Sequence, residues 1–200
     1  MIENFFATPL YINDISDRDS VSAEVNTAIS NSIFKNDWQP DNDTAETTFI
    51  PNEVTDVIRL HNMVETYSQI LNHASVYLQG TGQEIVEDSL QINSSWFNKF
   101  HKDQTIGFHE HGYQPNVISG VYYHKHCKGA GDIQFRSPNP YAVSFPHQTQ
   151  NYANIVNISV EEGMILLFPS WLLHKVMPNK TNETRVSLAF NVDFRYKFQE

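Results

Sequence analysis

Gly163-Met164-Ile165-Leu166-Leu167-Phe168-Pro169-Ser170-Trp171-Leu172-Leu173-His174 runs five apolar residues between a glycine and a proline and sets a histidine just past the turn. A continuous apolar run of that length, closed by turn residues at both ends, predicts a buried strand rather than a helix. The neighbouring sequence repeats the pattern on both sides. Ser89–Lys102, Gln104–His111, Val117–Lys125, Asp132–Phe135 and Ala142–Phe145 lie upstream; Ile155–Val160, His174–Val176 and Arg185–Phe194 complete the set. Most of these segments are short, rich in Val, Ile, Phe and Tyr, and bounded by Gly, Pro, Asn or Asp. Seven to nine short strands over residues 88–200 predict a closed or sandwiched all-β core, not a parallel sheet.

Residues 1–87 read differently. Asp17 to Asn36 opens on cap-forming residues (Asp17, Asp19, Ser20) and predicts a first helix. From Pro51 to Gly80, Val54, Val57, Ile58, Val64, Tyr67, Leu71, Ala74, Tyr77 and Leu78 recur mostly at three- and four-residue steps. That spacing is the apolar stripe of an amphipathic helix, and Gly80-Thr81-Gly82 ends it. A stripe must bury against something, so the helices are expected to pack on one sheet. With no linker-like segment, residues 1–200 are expected to form a single domain: a helical lead-in over 1–87 and the β core over 88–200.

Composition narrows the function classes. The net charge of −10 disfavours a protein that grips nucleic acid through its phosphates. One cysteine, Cys127, excludes a disulfide framework within the chain and any cysteine-rich zinc or iron–sulfur site. No apolar run reaches the roughly 20 residues that span a bilayer. The opening Met-Ile-Glu-Asn-Phe-Phe lacks the basic flank of a signal peptide, so a cytoplasmic protein is expected. Seven of the nine histidines lie beyond residue 100.

Four features in the β half carry chemistry. In Phe108-His109-Glu110-His111-Gly112, strand alternation puts His109 and His111 on one face and Glu110 on the other. Two imidazoles on one face can share a first-row metal ion, although a lone His-x-His is also an ordinary surface pattern. His174 follows the buried strand and turn quoted above. In Arg185-Val186-Ser187-Leu188-Ala189-Phe190, Arg185 and Ser187 share a face. If that face is buried the guanidinium needs a partner, and a carboxylate suits its fork; if exposed, it is simply solvated. In Val117-Ile118-Ser119-Gly120-Val121-Tyr122-Tyr123, Tyr123 offers a phenol to the same carboxylate or packs as an ordinary core aromatic. Arg136 and Arg195 are further candidate carboxylate binders. Asn98 and His101 are candidates for the mouth of the site. His124, His126 and His147 read as surface residues, and Trp96 and Trp171 as core.

In chain order, which is the His-x-His pair, the Tyr123 strand, the distal His174 and then Arg185-x-Ser187 eleven residues after it, the four features resemble the Fe(II)/2-oxoglutarate-dependent dioxygenase superfamily. The nearest likeness is to the small 2-oxoglutarate oxygenases of marine bacteria and bacteriophages, which have prolyl-hydroxylase-like relatives. The residues that carry it are Trp96, His109-Glu110-His111, Ser119 to Tyr123, Gly131 to Phe135, Pro169-Ser170-Trp171 with His174, and Arg185-Val186-Ser187. Phe5-Phe6-Ala7-Thr8-Pro9-Leu10-Tyr11 also resembles that group's first strand. The resemblance implies a double-stranded β-helix, that is, a cupin-like jelly roll flanked by N-terminal α-helices. It implies Fe(II) held by His109, His111 and His174, with 2-oxoglutarate bound by Arg185, Ser187, Tyr123 and Asn98, and ascorbate as auxiliary reductant. The implied reaction consumes O2, converts 2-oxoglutarate to succinate and CO2, and hydroxylates a peptidyl-prolyl or small-molecule substrate. It implies a bacterial or phage-infected host cytoplasm.

One position departs from the family pattern. His111 stands where the superfamily places an Asp or Glu ligand. Three readings follow: a three-histidine iron site, a site into which Glu110 bends, or a degraded, inactive one kept as a metal-binding structural or interaction module. Zinc is the alternative metal for three histidines. The acidic helices offer either a homodimer face or a plain solvated surface.

Overall fold

The computed structural model describes residues 7–35, 45–51, 53, 55–86, 88–112, 117–139 and 154–197. Two antiparallel sheets face each other. The larger has six strands in the order β1 (Tyr11–Asp14), β8 (Met164–Pro169), β5 (Val117–Lys125), β10 (Arg185–Asp193), β3 (Gln91–Phe100) and β2 (Glu46–Thr47). The smaller has β4 (Ile106–His109), β9 (His174–Val176), β6 (Ile133–Arg136) and β7 (Ile155–Ile158). This is the jelly-roll arrangement of mainly antiparallel strands with few helices. The expected strand at Ala142–Phe145, the Phe5-Phe6 pair and His147 lie outside the described residues.

The larger sheet separates two apolar layers, and strand alternation assigns each side chain to one of them. Ile118, Tyr122, Ile165, Leu167, Leu188 and Phe190 point outward, where α1 (Arg18–Ser30), α2 (Val57–Leu60) and α3 (Val64–Gly80) cover them with Val21, Val25, Ile58, Ile70 and Ala74. Val121, Tyr123, Leu166 and Phe168 point inward against Ile133 and Phe135 of the smaller sheet. The helices therefore pack on one sheet, as their stripe requires. The lead-in is not purely helical, because β1 and β2 add edge strands to opposite sides of the larger sheet.

The first helix starts as its cap residues predict: the Asp17 carboxylate accepts from the Ser20 amide at 3.2 Å. It ends at Ser30 rather than Asn36, because Lys35 leaves to pair with Thr47. The second predicted helix is two helices. Asn62 takes a left-handed conformation (φ 52°), which Asn tolerates, and the Asn62 and Met63 amides bond back to the Arg59 and Ile58 carbonyls. That closure stops α2 after one turn, and apolar spacing does not register it. Glu24 of α1 then caps α3 from a distance, accepting from the amides of Glu65 and Thr66 at 2.9 and 2.8 Å.

Candidate metal and carboxylate site

The inner face of the larger sheet forms a grid of rows across three strands. Ser187 of β10 sits opposite Asn98 of β3 and Tyr123 of β5; Ala189 sits between Trp96 and Val121; Asn191 sits between Ser94 and Ser119. Arg185 begins the next row, opposite Phe100. The smaller sheet closes over this grid. Its β4 and β9 place His109 opposite His174, and the His111 amide is held just beyond β4 by the Ser170 carbonyl at 2.9 Å.

His109, His111 and His174 come together so that one nitrogen from each lies within 4.8 Å of the others. Each ring uses its other nitrogen. His109 Nδ1 lies 2.9 Å from the Gly107 carbonyl oxygen, and His174 Nδ1 lies 2.8 Å from that of Leu172. His111 Nδ1 lies 2.9 Å from both Asn191 Oδ1 and Ser119 Oγ. A backbone carbonyl oxygen only accepts, so Nδ1 of His109 and of His174 carries the proton and their Nε2 atoms keep their lone pairs. Outer hydrogen bonds of this kind orient histidine ligands for a metal. Burial, followed by the neighbouring His109, pulls His111 down to about 4 despite the opposing bond to Asn191. Burial, then His109 and His111, holds His174 well below its usual value. Both are neutral near pH 7, as ligation requires. Phe168 packs edge-on against His174 with centroids 4.7 Å apart.

The opposite end of the same cavity is built around Arg185. Its guanidinium is 1% exposed, donates to the Gly131 carbonyl at 2.8 Å, and lies between the rings of Phe100 and Tyr123, 4.7 and 5.1 Å from their centroids. Arg185 Nε and Tyr123 Oη are buried without a hydrogen-bond partner. Burial lowers the arginine's pKa, opposed by Tyr123 and Asp132, yet a guanidinium stays charged. Burial drives Tyr123 up to about 12, so it remains a neutral donor. Buried donors left unmade are costly, and a buried cation needs an anion. A carboxylate between Arg185 and Tyr123 meets both needs, and three imidazole nitrogens suit iron. The residues present thus fit a metal ion with a dicarboxylic cosubstrate.

Residues 94–191 match the family model described as "Putative 2OG-Fe(II) oxygenase". Over this stretch, just under half of its length, the chain is similar to that family. No curated protein sequence matches it. Among solved structures, the non-haem α-ketoglutarate-dependent epimerase SnoN of nogalamycin biosynthesis superposes with a TM-score of 0.67 at 13% identity, covering 93% of this chain and 76% of that one. A Pseudomonas putida prolyl-4-hydroxylase gives 0.59 at 11%, covering 96% and 94%. HygX from Streptomyces hygroscopicus, solved with nickel, 2-oxoglutarate and hygromycin B, gives 0.59 at 12%, covering 93% and 83%. At these identities the likeness is one of fold.

Within the oxygenase fold, Asn98, Tyr123, Arg185 and Ser187 line the cavity that holds the three histidines, whereas Glu110 does not. Trp96 is not core: it is half-buried in the cavity wall, 5.3 Å from the His111 ring. Trp171 is half-buried too, packed at the edge of the inner layer. His101 does not reach the mouth, since its Nδ1 engages Thr184 and its Nε2 faces Glu46 at 3.4 Å. Arg136 lies over the Phe108 ring, and Arg195 is exposed beyond β10. His124 is not a surface residue, because α1 covers it: it is 4% exposed and bonded to Asn26 at 2.9 Å. His126 is half-buried and shares the Gly131 carbonyl with Arg185. A wider cavity of about 350 Å³ lies behind Arg185, between Asn26, His124, His126 and Glu162, and holds none of the three histidines. Asn191 carries no reading in the sequence, and Gly131 enters there only as the first residue of a resembling segment, with no role of its own. Alternation along Arg185-Ser187-Ala189 leads directly to Asn191, but a carbonyl such as that of Gly131 has no sequence signal.

Proposed function

We propose that the chain is an Fe(II)- and 2-oxoglutarate-dependent hydroxylase in which His109, His111 and His174 hold the iron, while Arg185, Tyr123, Ser187 and Asn98 hold the cosubstrate. The observation that supports this most is the pairing, in one cavity, of three converging Nε2 atoms with two buried donors, Arg185 Nε and Tyr123 Oη, that lack partners. Three neutral imidazoles would leave a divalent ion at +2; one carboxylate of 2-oxoglutarate would offset one of those charges and the other would offset Arg185, so the centre carries one positive charge more than a site with a carboxylate ligand.

Iron and 2-oxoglutarate, when bound, supply O2 activation and the oxidation of a substrate C–H bond, with succinate and CO2 as co-products. The chain supplies position and environment. The histidines fix the ion by Nε2 atoms already oriented by their backbone and Asn191 acceptors. Arg185 and Tyr123 would anchor a carboxylate of the cosubstrate from one end of the cavity. Phe135, Phe168, Val121 and Val176 keep the interior apolar, which strengthens the charge interactions and excludes water. In this reading residues 1–200 act as one domain, because the helices and the larger sheet share one apolar layer. Substrates of the class are peptides or small molecules; a prolyl hydroxylase from Trichoplax adhaerens solved with a peptide fragment and HygX solved with hygromycin B are a precedent for each.

The test is succinate release from 2-oxoglutarate with Fe(II) and ascorbate, including slow turnover without substrate. Turnover is expected in the native chain and its loss in Arg185→Ala. A chain that binds no 2-oxoglutarate, or binds it equally well after Arg185→Ala, overturns the reading. Equal thermal stabilisation by zinc and iron with no response to 2-oxoglutarate assigns it instead as a metal-holding jelly roll, the reading that His111 in place of a carboxylate favours.

A further inference from the structure

His111 differs from its two partners in how its tautomer is set. His109 and His174 donate to backbone carbonyls two residues away, whereas His111 bonds to side chains brought in from another strand. An amide side chain can turn over, so Asn191 alone does not dictate which nitrogen of His111 carries the proton. Its other contacts do. Asn191 Nδ2 lies 2.9 Å from Ser94 Oγ; Ser94 Oγ lies 2.8 Å from Asn93 Oδ1; Asn93 Nδ2 lies 2.7 Å from Asp193 Oδ1. The carboxylate at the end accepts only. Asn93 must therefore point its NH2 at Asp193 and its oxygen at Ser94. Ser94 gives its hydroxyl proton to that oxygen and can only accept from Asn191. Asn191 is left with its oxygen toward His111, and Ser119, donating to the same oxygen at 2.7 Å, agrees. Every bond in the chain points one way.

The backbone is shaped for this chain. β3 and β10 slip register between Asn191 and Val192: Asn191 pairs with Ser94 and Val192 with Ile92, leaving Asn93 as an extra residue. Such a bulge turns successive side chains toward one site. Here it delivers both Asn93 and Ser94 to the gap between Asp193 and Asn191.

We propose that Asp193, acting through Asn93, Ser94 and Asn191, fixes His111 with its proton on Nδ1 and its lone pair on Nε2, making Asn191 a positioning residue of the metal centre. The proposal rests on the three-histidine reading of the site. It gives the His111 position a negatively charged acceptor outside the coordination shell, where the family pattern places one inside it. Aligned hydrogen bonds polarise one another, so the carboxylate raises the donor strength of the imidazole from four side chains away.

The experiment is an anaerobic Fe(II) titration of the full-length chain, paired with proton NMR of its Co(II) form. Each bound imidazole shows there one exchangeable, paramagnetically shifted Nδ1–H signal. The native chain is expected to show three. Asn191→Leu is expected to weaken Fe(II) binding about 10- to 100-fold and to remove or broaden one of the three signals. Asn191→Asp keeps the acceptor and is expected to retain all three signals with equal or tighter binding. Asp193→Asn permits the chain to reverse and is expected to weaken binding about two- to five-fold. Asn191→Leu with three signals and affinity within two-fold of native overturns the proposal. Should Asn191→Leu not fold, looser binding in Asn191→Asp, or unchanged binding in Asp193→Asn, overturns it instead. His111→Ala separates the two levels. If it binds Fe(II) as tightly as the native chain, the three-histidine reading has failed. If it binds far more weakly while Asn191→Leu does not, the positioning role alone has failed.

Discussion

The chain contains two His-x-His segments, His109-Glu110-His111 and His124-Lys125-His126, and they do different things. In the first, both rings commit Nδ1 to an acceptor and turn Nε2 toward His174. In the second, the rings part. The register slips where Lys125 pairs with Val186 and Tyr123 with Ser187, leaving His124 as the extra residue. His124 turns outward and spends its Nε2 on Asn26, while His126 packs edge-on against Tyr123. No third ligand meets either among the described residues. A histidine pair becomes a metal site through what holds its outer nitrogens and through a distal partner; the spacing by itself decides nothing.

The contrast is easiest to break with the largest effect. His174→Ala removes the proposed third ligand of the first pair, and we expect Fe(II) affinity to fall at least 100-fold and succinate release to vanish. His126→Ala is expected to leave Fe(II) affinity within about two-fold, as read by calorimetry. Metal binding that depends on His126 as strongly as on His174 abolishes the distinction.

Arg185 tests the other end of the cavity. A charged hydrogen-bonded pair in a buried site is worth about 2–5 kcal/mol, so Arg185→Met should weaken 2-oxoglutarate binding roughly 30- to 5,000-fold. Fe(II) affinity, measured separately by calorimetry, should stay near native. Gly131 supports that arginine through its carbonyl and leaves no room for a side chain: its φ is +98°, and a β-carbon there would lie 2.1 Å from the Met177 carbonyl oxygen. Gly131→Ala should therefore lower the melting temperature by several degrees and weaken 2-oxoglutarate more than metal.

Acid sharpens the histidine comparison, because His111 and His124 are both held to about 4 chiefly by burial. Their unfolded value is near 6.5, so below it the unfolded chain binds more protons and stability falls as pH falls. The loss accumulates from about pH 6.5 to 4 and is bounded at roughly 3 kcal/mol per histidine. Metal-free protein should thus melt progressively lower over that window, and His124→Gln should flatten the curve. Saturating Fe(II) should restore stability at the upper end of the window only, where protons do not yet displace the metal.

What could be read in advance followed physical range. Local rules reach along one strand, so alternation put Arg185 with Ser187 on one face of their strand and Tyr123 with Val121 on one face of its own, and turn residues marked the ends of most strands. The same rules fail where tertiary partners intervene. Apolar spacing runs through Asn62 without seeing the left-handed closure, and it cannot see that Glu24, some forty residues earlier, caps α3. His124 looked exposed because nothing local announces α1 above it. Asn191 was visible on the right face but carried no meaning until the bulge at Asn93 tied it to Asp193.

The smallest effect concerns Tyr123, whose hydroxyl is buried unpaired beside Arg185. An unsatisfied buried hydroxyl costs about 1–3 kcal/mol, and Tyr123→Phe deletes it without changing the ring that packs in the inner layer. The metal-free, cosubstrate-free protein should therefore become more stable, by roughly 2–4 °C in melting temperature for each kcal/mol recovered. The same change removes a neutral hydrogen bond to the carboxylate, worth about 1 kcal/mol, so 2-oxoglutarate should bind roughly five-fold more weakly. A core tyrosine with no functional role gives the first result without the second. Opposite signs in the two measurements mark a donor kept for a ligand, since the chain without it carries the cost and only the bound state recovers it.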